Sequence, residues 1–113
     1  MSWKLCLVAS LGVSLTAFAA PSKVEKALAS TKAHEECMTL EPNQELTYAF
    51  KATTDLKFNL HYHEGKNVVF PIKEDKISKH SGTFKPKSKQ DYCLMWANKS
   101  DKDATVTYEF EVK

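Results

Sequence analysis

Apolar and polar side chains alternate along most of the chain from Leu46 onward, and this period of two restricts the fold more than any other feature. Successive side chains of a β-strand point to opposite faces, so the alternation predicts strands that are buried on one side. It is clearest in five segments, which are residues 46–50, 56–62, 68–72, 92–96 and 106–112. Leu40 and Phe84 lie on two weaker segments, so we expect about seven strands.

Polar and turn-forming residues separate these segments. Pro42 and Asn43 precede the first strong segment, residues 53–55 follow it, and Gly65 marks a tight hairpin at residues 63–66. Short strands broken at about ten-residue intervals are typical of a β-sandwich or a barrel. We therefore predict one all-β domain over residues 37–113, a single antiparallel β-sandwich of about seven strands.

The segment before Cys37 carries a different pattern. Ser22 followed by Glu25 matches a helix-capping box, and Val24, Ala27 and Leu28 add a thin apolar stripe. The pattern predicts a short helix over residues 22–33, within an N-terminal segment of residues 20–36. An N-terminal arm without a helix is the alternative.

The first residues are typical of a secretory signal peptide. Lys4 supplies a positive charge, residues 5–18 are uncharged and largely apolar, and Ala17 and Ala19 are the small residues before the expected cleavage site. The apolar stretch is shorter than the ~20 residues that span a bilayer comfortably. We predict a cleaved signal at residues 1–19 and a secreted or periplasmic, soluble product without a membrane span.

Two cysteines, Cys37 and Cys93, remain after the predicted cleavage, whereas Cys6 leaves with the signal. In an oxidising compartment, such a pair in a small domain predicts one disulfide, which contributes about 4 kcal/mol in the chain-entropy model. A metal thiolate pair or a redox dithiol is the alternative. Neither cysteine has a second one within four residues, which is the spacing that those functions use.

Three groups of residues carry a family resemblance. They are Cys37 ahead of Leu46-x-Tyr48-x-Phe50, residues 55–60 followed by Gly65, and Gly82-Thr83-Phe84 ahead of residues 91–98 and a last strand at 106–112. In this order they resemble a GOLD (Golgi dynamics) domain, a compact β-sandwich. The resemblance implies that Cys37 and Cys93 form the disulfide that the lumenal part of the Golgi-dynamics cargo receptors contains.

The chain departs from those receptors after the domain. They continue into a coiled coil, a membrane span and a cytosolic tail, and none of these follows residue 112 here. Cargo-receptor function is therefore not carried over. The resemblance implies a free-standing GOLD-like module, plausible for a bacterial periplasm, and such modules bind proteins or lipids more often than they catalyse reactions.

His61 and His63 form the sharpest local motif. Strand alternation places both imidazoles on one face, with Cα atoms roughly 7 Å apart, which suits two ligands of one metal ion. Imidazole binds zinc or copper, and Met95 could join a copper site if its strand is a neighbour. His80 and Glu64 are further candidates. The alternative is that the two histidines only occupy a solvent-facing strand surface.

Charge and composition argue against nucleic-acid binding. Lys and Arg number 16 against 14 Asp and Glu, and every basic residue is lysine. Arginine provides the bidentate contacts that many nucleic-acid sites use. Six lysines lie between residues 73 and 89, where they could contact an acidic partner or anionic lipid headgroups; a solvated surface is the plainer interpretation.

The remaining motifs favour binding over catalysis. Asn98-Lys99-Ser100 fits an N-glycosylation acceptor, to be used only in a eukaryotic source. No nucleophile elbow, phosphate-binding glycine loop or H-E-x-x-H motif is present, so we expect neither an enzyme nor a cofactor. We predict an exported binding module that recognises a protein or envelope component. The alternative is a copper- or zinc-binding protein that uses His61, His63 and Met95.

Overall fold

The computed structural model describes residues 22–113, and this part of the chain is built from strands. The elements are β1 (Ser22–Leu28), β2 (Ala33–Leu40), β3 (Leu46–Glu64), β4 (Asn67–Phe84), β5 (Gln90–Ala97) and β6 (Ala104–Val112). Among these residues there is no helix, and so none that is long and apolar enough to cross a membrane. The predicted signal at residues 1–19 and Cys6 lie outside the described residues.

All strands belong to one antiparallel, curled sheet. Its order is β1-β6-β3-β5-β2, and β4 pairs with β3. β3 organises the sheet, because its first half pairs with β6, from Leu46 to Ala52, and its second half pairs with β5, from Lys57 to His61. The all-β, antiparallel prediction is confirmed. The described strands form one continuous hydrogen-bonded sheet of six, in place of the predicted sandwich of about seven.

The strand count differs because β3 joins the predicted segments 46–50 and 56–62, β4 joins 68–72 with the segment of Phe84, and β1 adds a strand. Residues 53–55 were expected to end a strand, but β3 runs through them, and its register with β4 shifts between Lys51 and Leu56. Such irregularities bend a strand without ending it. The hairpin predicted at residues 63–66 is confirmed, with Gly65 at a φ of 63°.

The helix predicted over residues 22–33 is wrong. Residues Ser22–Leu28 form β1 and pair with β6, and β2 begins at Ala33 and pairs with β5. Val24 and Leu28 are four residues apart, a spacing that places side chains on one face of either a helix or a strand. The apolar stripe therefore fitted both structures, and pairing with β6 decided the outcome.

The core occupies the inner face of the curled sheet and contains most of the predicted inward side chains. Its buried members are Leu28, Leu40, Leu46, Tyr48, Phe50, Leu56, Phe58, Leu60, Tyr92, Leu94, Trp96, Ala104, Val106 and Tyr108. Alternation in segments 68–72 and 106–112 also predicted inward positions for Val68, Phe70 and Val112, and this was wrong, because their exposed fractions are 42%, 43% and 37%. A register shift between Leu60 and Tyr62 explains the first two, because it turns Val68 and Phe70 to the outer face.

The predicted disulfide between Cys37 and Cys93 is confirmed. The two residues are direct partners in the β2–β5 register, so the bond links adjacent strands. Their phase is opposite to that of the core residues Tyr92 and Leu94, which places the disulfide on the outer face of the sheet.

Candidate functional site

A group of polar and sulfur-containing side chains lies on the outer face, across three neighbouring strands. We call it the outer cluster; its members are Glu35, Asn59, His61, His63 and the Cys37–Cys93 disulfide. The register creates it, because Cys37 lies opposite Cys93 and Cys93 lies opposite His61. Residues at alternate positions along β2 and β3 add the remaining side chains.

His61 is the buried centre of the outer cluster, with an exposed fraction of 4%. Its Nδ1 lies 2.7 Å from Oδ1 of Asn59, so the ring N–H donates there and Nε2 carries the lone pair. Nε2 lies 3.5 Å from Oε1 of Glu35. Burial lowers the pKa of His61, Glu35 opposes that shift and His63 adds to it. The neutral imidazole is thereby favoured, with a free nitrogen facing a carboxylate.

The outer cluster brings together some of the predicted metal ligands. The rings of His61 and His63 are 5.3 Å apart, on one face as predicted. Met95 shares this face, since it pairs with both Asn59 and Glu35. The alternative, in which both histidines only occupy a solvent-facing surface, does not hold for His61, because the ring of Phe70 lies 5.9 Å away and helps to cover it.

The other predicted candidates are elsewhere. Nε2 of His80 lies 3.1 Å from the hydroxyl of Tyr48, among core aromatic rings. Glu64 is exposed at the end of β3. Glu35, by contrast, was not predicted as a ligand. Its signal was its position two residues before Cys37, which places both on one face of a strand.

Glu35, His61 and Cys93 have the right atoms for a metal site. One oxygen, nitrogen or sulfur atom from each lies within 4.8 Å of the others. With the disulfide formed, however, the sulfur of Cys93 is not a thiolate, which is the form of cysteine that binds metal. The oxidised protein therefore offers Glu35 and His61, with His63 beside them.

An exposed apolar patch adjoins the outer cluster at the end of the β3–β4 hairpin. We call it the hairpin-tip patch; it consists of Val68 and Phe70, and His63 lies at its edge. Val68 pairs with His63, and Nζ of Lys73 lies 5.3 Å from the centre of the Phe70 ring. Beside it, a groove of about 500 Å³ is lined in part by His63, Cys37 and Cys93.

A second polar group ties β2 to β6 on the core side. The hydroxyl of Tyr108 donates to Oε1 of Glu36 at 2.7 Å and lies 2.9 Å from Nε2 of His34. Burial and the bond to Glu36 raise the pKa of Tyr108, and burial is the main cause that lowers the pKa of His34. A tyrosine that holds its proton this firmly serves as a hydrogen-bond donor and not as a nucleophile.

Asn98, the predicted glycosylation acceptor, is completely buried. Its Nδ2 donates to the carbonyl oxygens of Leu28 and Lys102, and its Oδ1 accepts from the backbone N–H and hydroxyl of Ser100. The nitrogen that a glycan would join is therefore occupied in the folded protein. The side chain serves to hold the β1 end and the β5–β6 loop together.

The six lysines of residues 73–89 follow β4 and the loop after it. All six side chains are exposed, and Nζ of Lys85 lies 3.5 Å from Oε2 of Glu45. A single exposed pair of this kind contributes little to stability.

No family model and no curated protein matches the chain. Solved structures do. A periplasmic inhibitor of g-type lysozyme from Aeromonas hydrophila is similar with a TM-score of 0.61 and 9% identity, over 89% of this chain and 93% of that one. A mitogen from Yersinia pseudotuberculosis is similar with a TM-score of 0.55 and 13% identity, over 80% and 84%.

A de novo designed double-stranded β-helix has a TM-score of 0.46 and 13% identity, over 80% of this chain and 99% of that one. For the lysozyme inhibitor and the mitogen, identities this low show a shared fold and nothing more. None of the three is a GOLD domain, so the resemblance to that family stays a prediction.

Proposed function

We propose that this chain is an exported binding module that recognises another protein through the hairpin-tip patch. The observation that carries the proposal is the exposure of two large apolar side chains, Val68 and Phe70, side by side at the end of a hairpin. Exposed apolar groups with a polar rim are typical of protein-binding surfaces. His63 and Lys73 supply such a rim.

Export is supported by the disulfide and by the N-terminal sequence pattern. Disulfides persist in oxidising compartments and are rare in the cytosol. Recognition of a protein, in preference to another envelope component, is supported by the aromatic anchor Phe70, a residue type enriched at protein interfaces. The lysozyme inhibitor of similar fold makes lysozymes the first partners to test.

The experiment measures binding and inhibition with a panel of lysozymes that includes the g-type. In parallel, a photo-crosslinking amino acid at position 70 is used in the native envelope to capture the partner. We expect Phe70→Glu to weaken binding by at least about tenfold, since central aromatic anchors contribute about 2 kcal/mol or more. Binding to a lysozyme, or to the captured protein after that protein has been purified, supports the proposal.

Val112→Glu is the matched control. Like Phe70, Val112 is an exposed apolar side chain. It pairs with Leu46, at the opposite end of β3 from the hairpin tip. We expect this variant to bind like the unmodified protein. Equal loss in both variants, or a partner that crosslinks from position 112 as strongly as from position 70, would contradict the proposed surface.

A second candidate function is copper or zinc binding by the oxidised protein. It is supported by the free Nε2 of His61, held by Asn59 and placed beside Glu35 and His63. Titration of the oxidised protein with Cu(I), Cu(II) and Zn(II) tests it. Micromolar or tighter binding that disappears in the double variant His61→Ala, His63→Ala supports it, and no binding removes it.

A further inference from the structure

We propose that opening the Cys37–Cys93 disulfide creates a four-ligand Zn²⁺ site. Its ligands are the two cysteine thiolates, Nε2 of His61 and the carboxylate of Glu35. The inference goes beyond the proposed function, because it concerns the reduced protein and needs neither a protein partner nor metal binding by the oxidised form.

The distances match a tetrahedral zinc site. A nitrogen and an oxygen that each bind zinc at about 2.0–2.1 Å lie about 3.3–3.4 Å apart. In the structure, Nε2 of His61 and Oε1 of Glu35 are 3.5 Å apart. A zinc-bound thiolate and carboxylate oxygen lie about 3.6 Å apart, and Sγ of Cys37 is 3.9 Å from the same Glu35 oxygen.

The backbone would hold the cysteines in place after reduction. β2 and β5 pair continuously from Ala33 opposite Ala97 to Leu40 opposite Gln90, and Cys37 and Cys93 lie within this ladder. Breaking the sulfur–sulfur bond leaves the backbone pairing intact. Two thiolates on one zinc lie about 3.8 Å apart, a separation that rotation of the two side chains supplies.

Asn59 is the positioning residue of this site. Metal-bound histidines commonly donate their second ring N–H to an oxygen, which sets the tautomer and the ring orientation. Asn59 makes that contact with Nδ1 of His61. It therefore directs Nε2 toward Glu35 and the sulfur of Cys93, although Asn59 itself would not touch the metal.

The redox step requires a dithiol reductant, such as a protein with a C-x-x-C motif. The reductant attacks through a thiolate, the bond between the two cysteine sulfurs breaks, and two electrons and two protons pass to Cys37 and Cys93 while the reductant forms its own disulfide. Binding of Zn²⁺ then releases the two thiol protons. Cys37 is exposed and borders the groove, so the disulfide is open to attack.

The experiment compares oxidised protein with protein reduced by a phosphine, each titrated with Zn²⁺ against a chromophoric chelator. We expect one Zn²⁺ per reduced chain, bound at least about 100-fold more tightly than by the oxidised chain, since two thiolates are added. Co²⁺ in place of Zn²⁺ should give the thiolate charge-transfer band and strong visible absorption of a tetrahedral site.

Matched variants identify the ligands. His61→Ala and Glu35→Gln should weaken Zn²⁺ binding by the reduced protein, and Asn59→Ala should weaken it about 10-fold while the thiolate band remains. Glu25→Gln, which changes an exposed carboxylate of β1 outside the site, should bind like the unmodified protein. Equal affinities for the oxidised and reduced forms, or unchanged affinity in His61→Ala, would overturn the proposal.

Circular dichroism covers the case in which reduction unfolds the chain. If Zn²⁺ restores the β-sheet spectrum of reduced protein but not that of the Cys37→Ser, Cys93→Ser variant, the proposal is supported. If Zn²⁺ leaves the reduced chain unfolded, it is wrong. Partner binding is measured on oxidised protein, so failure there leaves this result unaffected.

Discussion

Gly82 of β4 lies against the ring of Tyr48 of β3, so closely that a Cβ at position 82 would be 2.9 Å from the phenolic oxygen. The two residues are partners in the β3–β4 register. Tyr48 belongs to the buried core and its ring cannot move away freely. The glycine is thus required by the packing of its neighbour.

We expect Gly82→Ala to destabilise the protein by about 1–3 kcal/mol, the usual cost of overpacking a core. Urea unfolding followed by tryptophan fluorescence measures this. Ser81→Ala, at the exposed neighbouring position, should change the free energy of unfolding by no more than about 0.5 kcal/mol. A Gly82→Ala variant as stable as Ser81→Ala would show that Tyr48 can move.

Replacing Asn98 with alanine should lower the free energy of unfolding by about 2–4 kcal/mol, because buried carbonyl and hydroxyl groups lose their partners. Chemical denaturation measures the change. Asn43→Ala, at an exposed position in the β2–β3 connection, provides the comparison and should be close to neutral. Similar stabilities for the two variants would contradict the structural role of Asn98.

Tyr108→Phe removes a single hydroxyl that connects Glu36 with His34. We expect a loss of about 1–3 kcal/mol in the free energy of unfolding, since two polar side chains lose their shared partner. Tyr62→Phe controls for loss of a tyrosine hydroxyl at a position with no such contacts. A double-mutant cycle with Glu36→Gln should give a coupling energy well above zero.

Stability should decline in mildly acidic solution. The pKa values of His34 and His61 are lowered from 6.5, chiefly by burial, so the unfolded chain takes up these protons at a higher pH than the folded one. The contribution is complete above about pH 6.5 and is lost as the pH falls through the folded-state values. Between about pH 7 and about pH 5, the free energy of unfolding of His34→Gln should decline less steeply than that of the unmodified protein.

Local alternation was sufficient to predict that the chain from Leu46 onward forms strands, and to predict most of the core. The inward positions of Tyr48, Phe50 and Trp96 follow from period two alone, because the strand pairing shows no register shift at these residues. The disulfide followed from cysteine count and compartment. These features depend on neighbouring residues or on a single possible pairing.

The errors arose where tertiary pairing decides the outcome. A register shift opposite His61 reverses the faces of Val68 and Phe70, and the residues themselves carry no sign of it. Glu35 entered the outer cluster because β2 lies beside β5, which lies beside β3. The order of strands in a sheet is not visible in the pattern of a single strand.

The long, bent β3 has a consequence for motion. Because one backbone supplies hydrogen bonds to β4 on one side and to β6 and then β5 on the other, neither half of the sheet can slide or peel away as an independent body. Slow amide exchange should therefore extend over both paired parts of β3, residues 46–52 and 57–61, while opening fluctuations concentrate in the rim strands β1, β2 and β4.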